Sequence, residues 1–143
     1  PVSPVGVYGE TKRAGELAVL NSSIDAIVIR SSWLYSKYGN NFVKTMVRLA
    51  DTKDEISVVV DQIGSPTNAA DLAQAILTIL PKIDNTSVEL FHYSNEGVCS
   101  WYDFAKAIFE IKAVTIKVKP IETSQYPTAA KRPFYSVLNN QTK

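Results

Sequence analysis

Hydrophobic positions recur along this chain with two different periods, and the periods locate its helices and strands. From Gly9 to about Asn21 the spacing of Ala14, Leu17 and Ala18 lays an apolar stripe along a helix, leaving Lys12, Arg13 and Glu16 for solvent or chemistry. Ala26-Ile27-Val28-Ile29 is apolar on both faces and lies between Asp25 and Arg30, the pattern of a parallel strand covered by helices on both sides. Gly39-Asn40-Asn41 precedes a helix from about Phe42 to Ala50, with Phe42, Val43, Met46, Leu49 and Ala50 turned inward. Ile56 to Val60 reads as a strand and Gly64-Ser65-Pro66-Thr67 as a turn. A third helix is predicted from about Ala69 to Leu80, with Asp71 favourably placed in its first turn and Pro81 ending it.

Val88 to Tyr93 is strand-like, and Asn95-Glu96-Gly97 turns the chain. Ser100 suits the N-cap of a fourth helix, with Asp103 placed to complete a capping box and Trp101, Phe104, Ala105, Ile108 and Phe109 as its buried stripe. Thr115 to Lys119 alternates Ile116 and Val118 with lysines, a half-exposed strand, and beyond Pro120 the chain becomes extended. Helices alternating with strands define an α/β architecture.

Composition narrows the functional classes. The 143 residues suit one ordinary domain, and 45% hydrophobic with 20% charged residues is a globular balance. A formal charge of +1 argues against broad electrostatic capture of nucleic acid or an anionic membrane. No apolar run approaches the ~20 residues of a membrane span. Pro1 to Pro4 has neither the basic start nor the apolar stretch of a signal peptide, so a cytoplasmic setting is expected. One cysteine and one histidine leave no Cys/His zinc cluster, and no carboxylate cluster suggests a metal. Both ends read as cuts within a longer protein.

The first candidate chemistry is Tyr8-Gly9-Glu10-Thr11-Lys12. A tyrosine and a lysine four apart at a helix start point along one face. An ammonium near a phenol stabilises the phenolate and readies the hydroxyl to give up its proton, as a carbonyl oxygen requires when hydride reaches its carbon. Taken alone, the spacing also fits a helix whose exposed Lys12 pairs with Glu16 while Tyr8 packs at the entry.

The flanking residues add to this. Val7 to Glu16 reads VYGETKRAGE, Arg30 to Tyr35 reads RSSWLY, Asp61 to Thr67 reads DQIGSPT, and the tail carries Tyr126-Pro127-Thr128 and Lys131-Arg132-Pro133. This series resembles the extended short-chain dehydrogenase/reductase superfamily over the whole chain, and within it the branch that reduces dTDP-4-dehydro-L-rhamnose. The resemblance implies part of an extended Rossmann-type α/β fold that lacks the Gly-rich N-terminal half. Residues 1–36 would be late cofactor-domain elements and residues 37–143 the smaller substrate-binding lobe, with some segments returning to the cofactor-domain sheet. It implies NADPH as hydride donor, with NADH as the alternative, a dTDP-sugar as partner, and a homodimer as an open assembly. Magnesium is associated with some members, and no residue here locates it. Tyr8 would protonate the 4-keto oxygen, and Lys12 would assist it and bind the nicotinamide ribose. The assisting serine or threonine of the family has no match here, since Ser3 stands too near Tyr8. The Gly-rich dinucleotide loop is likewise missing among the six glycines. A non-catalytic binding protein of the same fold, or a nucleotide-sugar epimerase or dehydratase, are the rival readings.

The remaining candidates have a structural alternative beside the functional one. Trp33 would contact the sugar nucleotide, or else pack in the core. Ser31 and Ser32 would reach the nicotinamide carboxamide. Asn40 and Asn41 would hold a diphosphate or simply cap the next helix. Lys131 and Arg132 would clamp phosphate or stand in solvent. Arg30 is expected to pair with a carboxylate, Asp61 and Gln62 to fix the Gly64-to-Thr67 turn, and His92 to be a satisfied structural histidine. Cys99 lacks the adjacent base of a nucleophile, and Trp101 and Tyr102 are expected to pack the fourth helix.

Overall fold

The computed structural model describes residues 3–4, 6–22, 26–83 and 88–140. Helix α1 (Val7–Leu20) starts two residues earlier than its apolar stripe predicts, after Gly6, whose φ of 90° lets the chain turn in without a capping side chain. The early start places Tyr8 in the first helical turn. Strand β1 (Ile27–Ser31) overlaps the predicted run 26–29 but extends through Arg30 to Ser31, and it pairs in parallel with β6 (Glu89–Tyr93), Arg30 lying opposite His92. The expected burial of β1 on both faces is not found. Its residues are half-buried or exposed, with β6 its only strand partner among the described residues.

The core lies in the second half of the architecture. Strand β3 (Glu55–Val59) pairs in parallel with β8 (Lys117–Ile121), and helices α2 (Phe42–Ala50) and α4 (Trp101–Ile111) pack together beside them. Met46, Val58, Ala105, Ile108 and Phe109 form the buried cluster, ringed by Phe42, Val47, Ile56, Trp101, Phe104 and Val118. Of these, Phe42, Met46, Trp101, Phe104, Ala105, Ile108 and Phe109 are inward positions that the 3.6-residue period picks out, Val47 is an addition to them, and Ile56, Val58 and Val118 come from the two strands. Ser100 and Asp103 close the capping box, the Ser100 hydroxyl accepting from the Asp103 amide at 3.0 Å while the Asp103 carboxylate accepts from the Ser100 amide at 3.0 Å. Strand β8 runs two residues further than predicted and includes Pro120, opposite Val58. Proline is tolerated on an edge strand, where its missing N–H can face away from the partner.

Two short ladders tie these parts together. β2 (Leu34–Tyr35) pairs with β5 (Thr67–Asn68), and β4 (Ile63–Gly64) pairs with β7 (Cys99–Ser100). The predicted turn at 64–67 is therefore a bend between two minimal strands. The tail returns along β4, the Ile63 amide donating to the Phe134 carbonyl at 2.8 Å and the Ser136 amide to the Ile63 carbonyl at 2.8 Å. Helix α3 (Ala69–Ile79) is capped by Asn68 and passes into a 3-10 turn, Leu80–Lys82, at Pro81.

Candidate active site

The connection from α1 to β1 is six residues long, and Glu16 on α1 bonds Arg30 on β1, so the helix runs back along the strand. At about 1.5 Å per residue, Lys12 lies roughly 6 Å and Tyr8 roughly 12 Å beyond Glu16 along the axis, past the carboxyl end of β1. That end of a parallel strand is where ligands collect in α/β proteins. Tyr8 is 73% exposed, and the Lys12 ammonium sits 5.7 Å from its ring centroid. The alternative pairing of Lys12 with Glu16 is not what the structure holds. The Glu16 carboxylate instead accepts from Arg30 Nε at 2.6 Å, Arg30 Nη2 at 2.9 Å and Arg13 Nη1 at 2.9 Å. Lys12 is thus left beside the tyrosine.

The Arg30 guanidinium holds the Glu16 carboxyl at about 2, with partial burial opposing and Arg13 adding to the effect. A carboxyl lowered from 4.5 contributes stability that is complete above 4.5 and is lost as pH falls towards 2. Glu16→Gln should therefore destabilise the folded protein by on the order of 2 kcal/mol at neutral pH. The gap to wild type should narrow as pH falls from 4.5 towards 2 in denaturant titrations. A gap independent of pH would show that the ion pair does not contribute.

Ser31 ends β1 and is exposed, its hydroxyl open to a ligand, whereas the Ser32 hydroxyl donates to the Ser65 carbonyl at 2.8 Å and holds the neighbouring bend. Trp33 follows with φ 46°, a left-handed conformation uncommon for a bulky residue. Its indole stacks on Trp101 with centroids 3.6 Å apart and planes 10° from parallel, and Trp101 also meets Phe42 at 4.5 Å. A Cβ on Gly64 would fall 2.7 Å from Trp33 Cζ2 and Nε1, so only glycine admits this ring. Nothing in the sequence links Trp33 with Trp101 or with Gly64, since the contact joins separate elements.

Asn41 is the cap of α2. Its Oδ1 accepts from the Lys44 amide at 3.1 Å and its Nδ2 donates to the Ser36 carbonyl at 2.6 Å, while Asn40 beside it is exposed. Lys131 and Arg132 are exposed and, with Thr123, Tyr126, Thr128 and Phe134, line a cavity of about 420 Å³. Tyr8, Lys12, Trp33 and Asn40 do not line it. Asp61 and Gln62 serve a different segment from the one predicted. The Asp61 carboxylate accepts from the Thr123 amide and hydroxyl at 2.9 and 2.7 Å, and Gln62 Nε2 donates to that hydroxyl at 3.0 Å. They anchor the 3-10 turn Thr123–Gln125 that leads into the tail, rather than the 64–67 bend.

His92 is satisfied as expected, with Nδ1 3.0 Å from the Asn139 carbonyl and Nε2 3.3 Å from Arg30 Nη1. Burial pushes the Cys99 thiol up, and the Asp103 carboxylate adds to it, the opposite of nucleophile activation. Among the described residues no group of three or more His, Cys, Asp or Glu could hold a metal ion, and no helix is long and apolar enough to cross a membrane.

Parallel strand pairs alternating with helices, with a helical lobe built on α2 and α4, make this an α/β protein of the extended short-chain dehydrogenase/reductase type. Known proteins agree. The model of the RmlD substrate binding domain matches residues 1–143, and the chain belongs to that family. It is 46% identical to the dTDP-4-dehydrorhamnose reductase of Sinorhizobium fredii over 95% of this chain and 49% of the relative. It is 43% identical to the spore coat polysaccharide biosynthesis protein SpsK of Bacillus subtilis over 99% of this chain and 48% of the relative. The crystal structure of the Bacillus anthracis dTDP-4-dehydrorhamnose reductase in complex with NADP superposes with a TM-score of 0.91 at 45% identity, over 97% of this chain and 48% of that one. The chain thus spans about half the length of the relatives it matches.

Proposed function

We propose that this chain is the carboxyl-terminal half of a cytoplasmic NADPH-dependent reductase that converts the 4-keto group of dTDP-4-dehydro-L-rhamnose to the alcohol of dTDP-L-rhamnose. The observation that carries the reading is the exposed Tyr8 with the Lys12 ammonium over its ring, beyond the carboxyl end of β1. The relatives' names and the bound NADP of the Bacillus anthracis structure support it. In this reading residues 1–36 belong to the cofactor side and residues 37–143 to the substrate lobe, with β6 returning to pair with β1.

The donor set suits the nicotinamide end of the cofactor. Lys12 and Tyr8 offer an ammonium and a hydroxyl to the ribose, and the exposed Ser31 hydroxyl can meet the carboxamide. NADPH, when bound, supplies the hydride that the carbonyl carbon receives. Tyr8 holds the proton for the carbonyl oxygen, so that the alkoxide is neutralised as it forms, and Lys12 stabilises the phenolate left behind. Trp33 forms a wall of the sugar pocket, Asn40 and Asn41 border the diphosphate, and Arg132 clamps phosphate from the tail.

The test is NADPH oxidation in the presence of the keto sugar nucleotide. The full-length protein that carries this chain should turn over. This chain alone should be inactive and should not bind NADPH at micromolar concentration, because it lacks a Gly-rich pyrophosphate loop. Tight NADPH binding by the chain alone in calorimetry would mean that the cofactor site is misplaced.

A further inference from the structure

Helix α1 carries Tyr8 and Lys12, and among the described residues its most covered side chain is polar, that of Glu16. Its tie to β1 is a polar one. Glu16, one turn beyond Lys12, is gripped by the two-pronged fork of Arg30, at 2.6 and 2.9 Å, and its side chain is only 9% exposed. Arg30 continues to His92, its register partner on β6, through Nη1 at 3.3 Å. With His92 Nδ1 placed 3.0 Å from the Asn139 carbonyl, an acceptor only, the ring carries its proton on Nδ1 and leaves Nε2 to accept from Arg30. One polar chain therefore joins α1, β1, β6 and the returning tail.

We propose that Glu16, Arg30 and His92 are positioning residues, a clamp that sets how α1 presents Tyr8 and Lys12 to the reacting carbonyl. The inference rests on the reading of Tyr8 and Lys12 as the proton-donating pair. The lever is long. Tyr8 stands roughly 12 Å along the helix from Glu16, so a tilt of about 5° at the clamp displaces the phenol by about 1 Å. Misplacement on that scale costs up to about 100-fold in rate. A bidentate guanidinium–carboxylate fork resists such tilting because two parallel hydrogen bonds fix direction as well as distance.

The experiment is a double-mutant cycle in the full-length protein, read as kcat and KM. Glu16→Gln should lower kcat about ten-fold, while KM for the sugar nucleotide and for NADPH changes less than about two-fold. In a Tyr8→Phe background the same change should alter the residual kcat less than about two-fold, because the proton that the clamp places is gone and Lys12 has no phenolate left to stabilise. Should Glu16→Gln not fold, Arg30→Lys runs the same cycle, since it keeps the charge and loses only the fork. Unchanged kcat in the folded single variant, or a full ten-fold loss persisting with Tyr8→Phe, would overturn the clamp. Wild-type turnover in Tyr8→Phe itself would instead remove the reading of the site, and the clamp with it.

Discussion

Tyr8→Phe in the full-length protein is expected to lower turnover by about 100-fold or more, with NADPH binding and melting temperature close to wild type. The ring is retained and only the hydroxyl goes. General acid catalysis by a positioned side chain is worth roughly 10²–10⁴ in rate, which sets the scale of the loss. Gly6, not Tyr8, shapes the entry to α1, and the retained ring keeps its packing, so little is lost with the oxygen. Lys12→Ala should behave differently. It removes the ammonium that lies over the ring and should both slow turnover and weaken the nicotinamide end of cofactor binding. Steady-state kinetics with calorimetric NADPH titration separates the two variants. Wild-type turnover in Tyr8→Phe would end the assignment of Tyr8 as proton donor.

Trp33→Ala should act on two quantities at once. The indole is half-buried and stacked 3.6 Å from Trp101, so its loss removes an aromatic pair from the junction of β2, β4 and α4. A fully buried tryptophan replaced by alanine costs about 3–5 kcal/mol, and a half-buried one should cost roughly half of that. If its free side also walls the sugar pocket, loss of stacking worth about 1 kcal/mol raises substrate KM about five-fold. Gly64→Ala offers an independent approach to the same ring. The new Cβ would fall 2.7 Å from two of its atoms, so the indole must shift, and both melting temperature and KM should move in the same directions. A fall in melting temperature with unchanged KM in both variants would make Trp33 purely structural.

These expectations depend on residues that were legible to different degrees. Helices α2 and α4 and their inward positions follow from local periodicity, and the Ser100–Asp103 cap from four neighbouring residues. The tyrosine and lysine were legible because four residues of helix bring them together. The start of α1 was not, because the chain enters through the unusual φ of Gly6 rather than through a capping side chain. Long-range partners were the least legible. Arg30 clearly needed a carboxylate, but period and charge alone suggested Lys12 for Glu16, and only the return of α1 along β1 gives Glu16 to Arg30. Asp61 and Gln62 looked like supports of the bend beside them. Their partner Thr123 lies across the fold, brought there by the β3–β8 ladder. Asn41 shows the reverse case, since the local cap engages both ends of its amide and leaves its exposed neighbour Asn40 the freer side chain.

The most direct test of the account follows the hydrogen itself. NADPH dideuterated at nicotinamide C4 is supplied to the full-length protein with dTDP-4-dehydro-L-rhamnose, and the sugar product is analysed by mass and NMR. The account predicts deuterium at C4 of dTDP-L-rhamnose, appearing in step with cofactor oxidation and slowed about 100-fold or more by Tyr8→Phe. A sugar altered without net cofactor oxidation, or both ligands bound with no deuterium transferred, would contradict it.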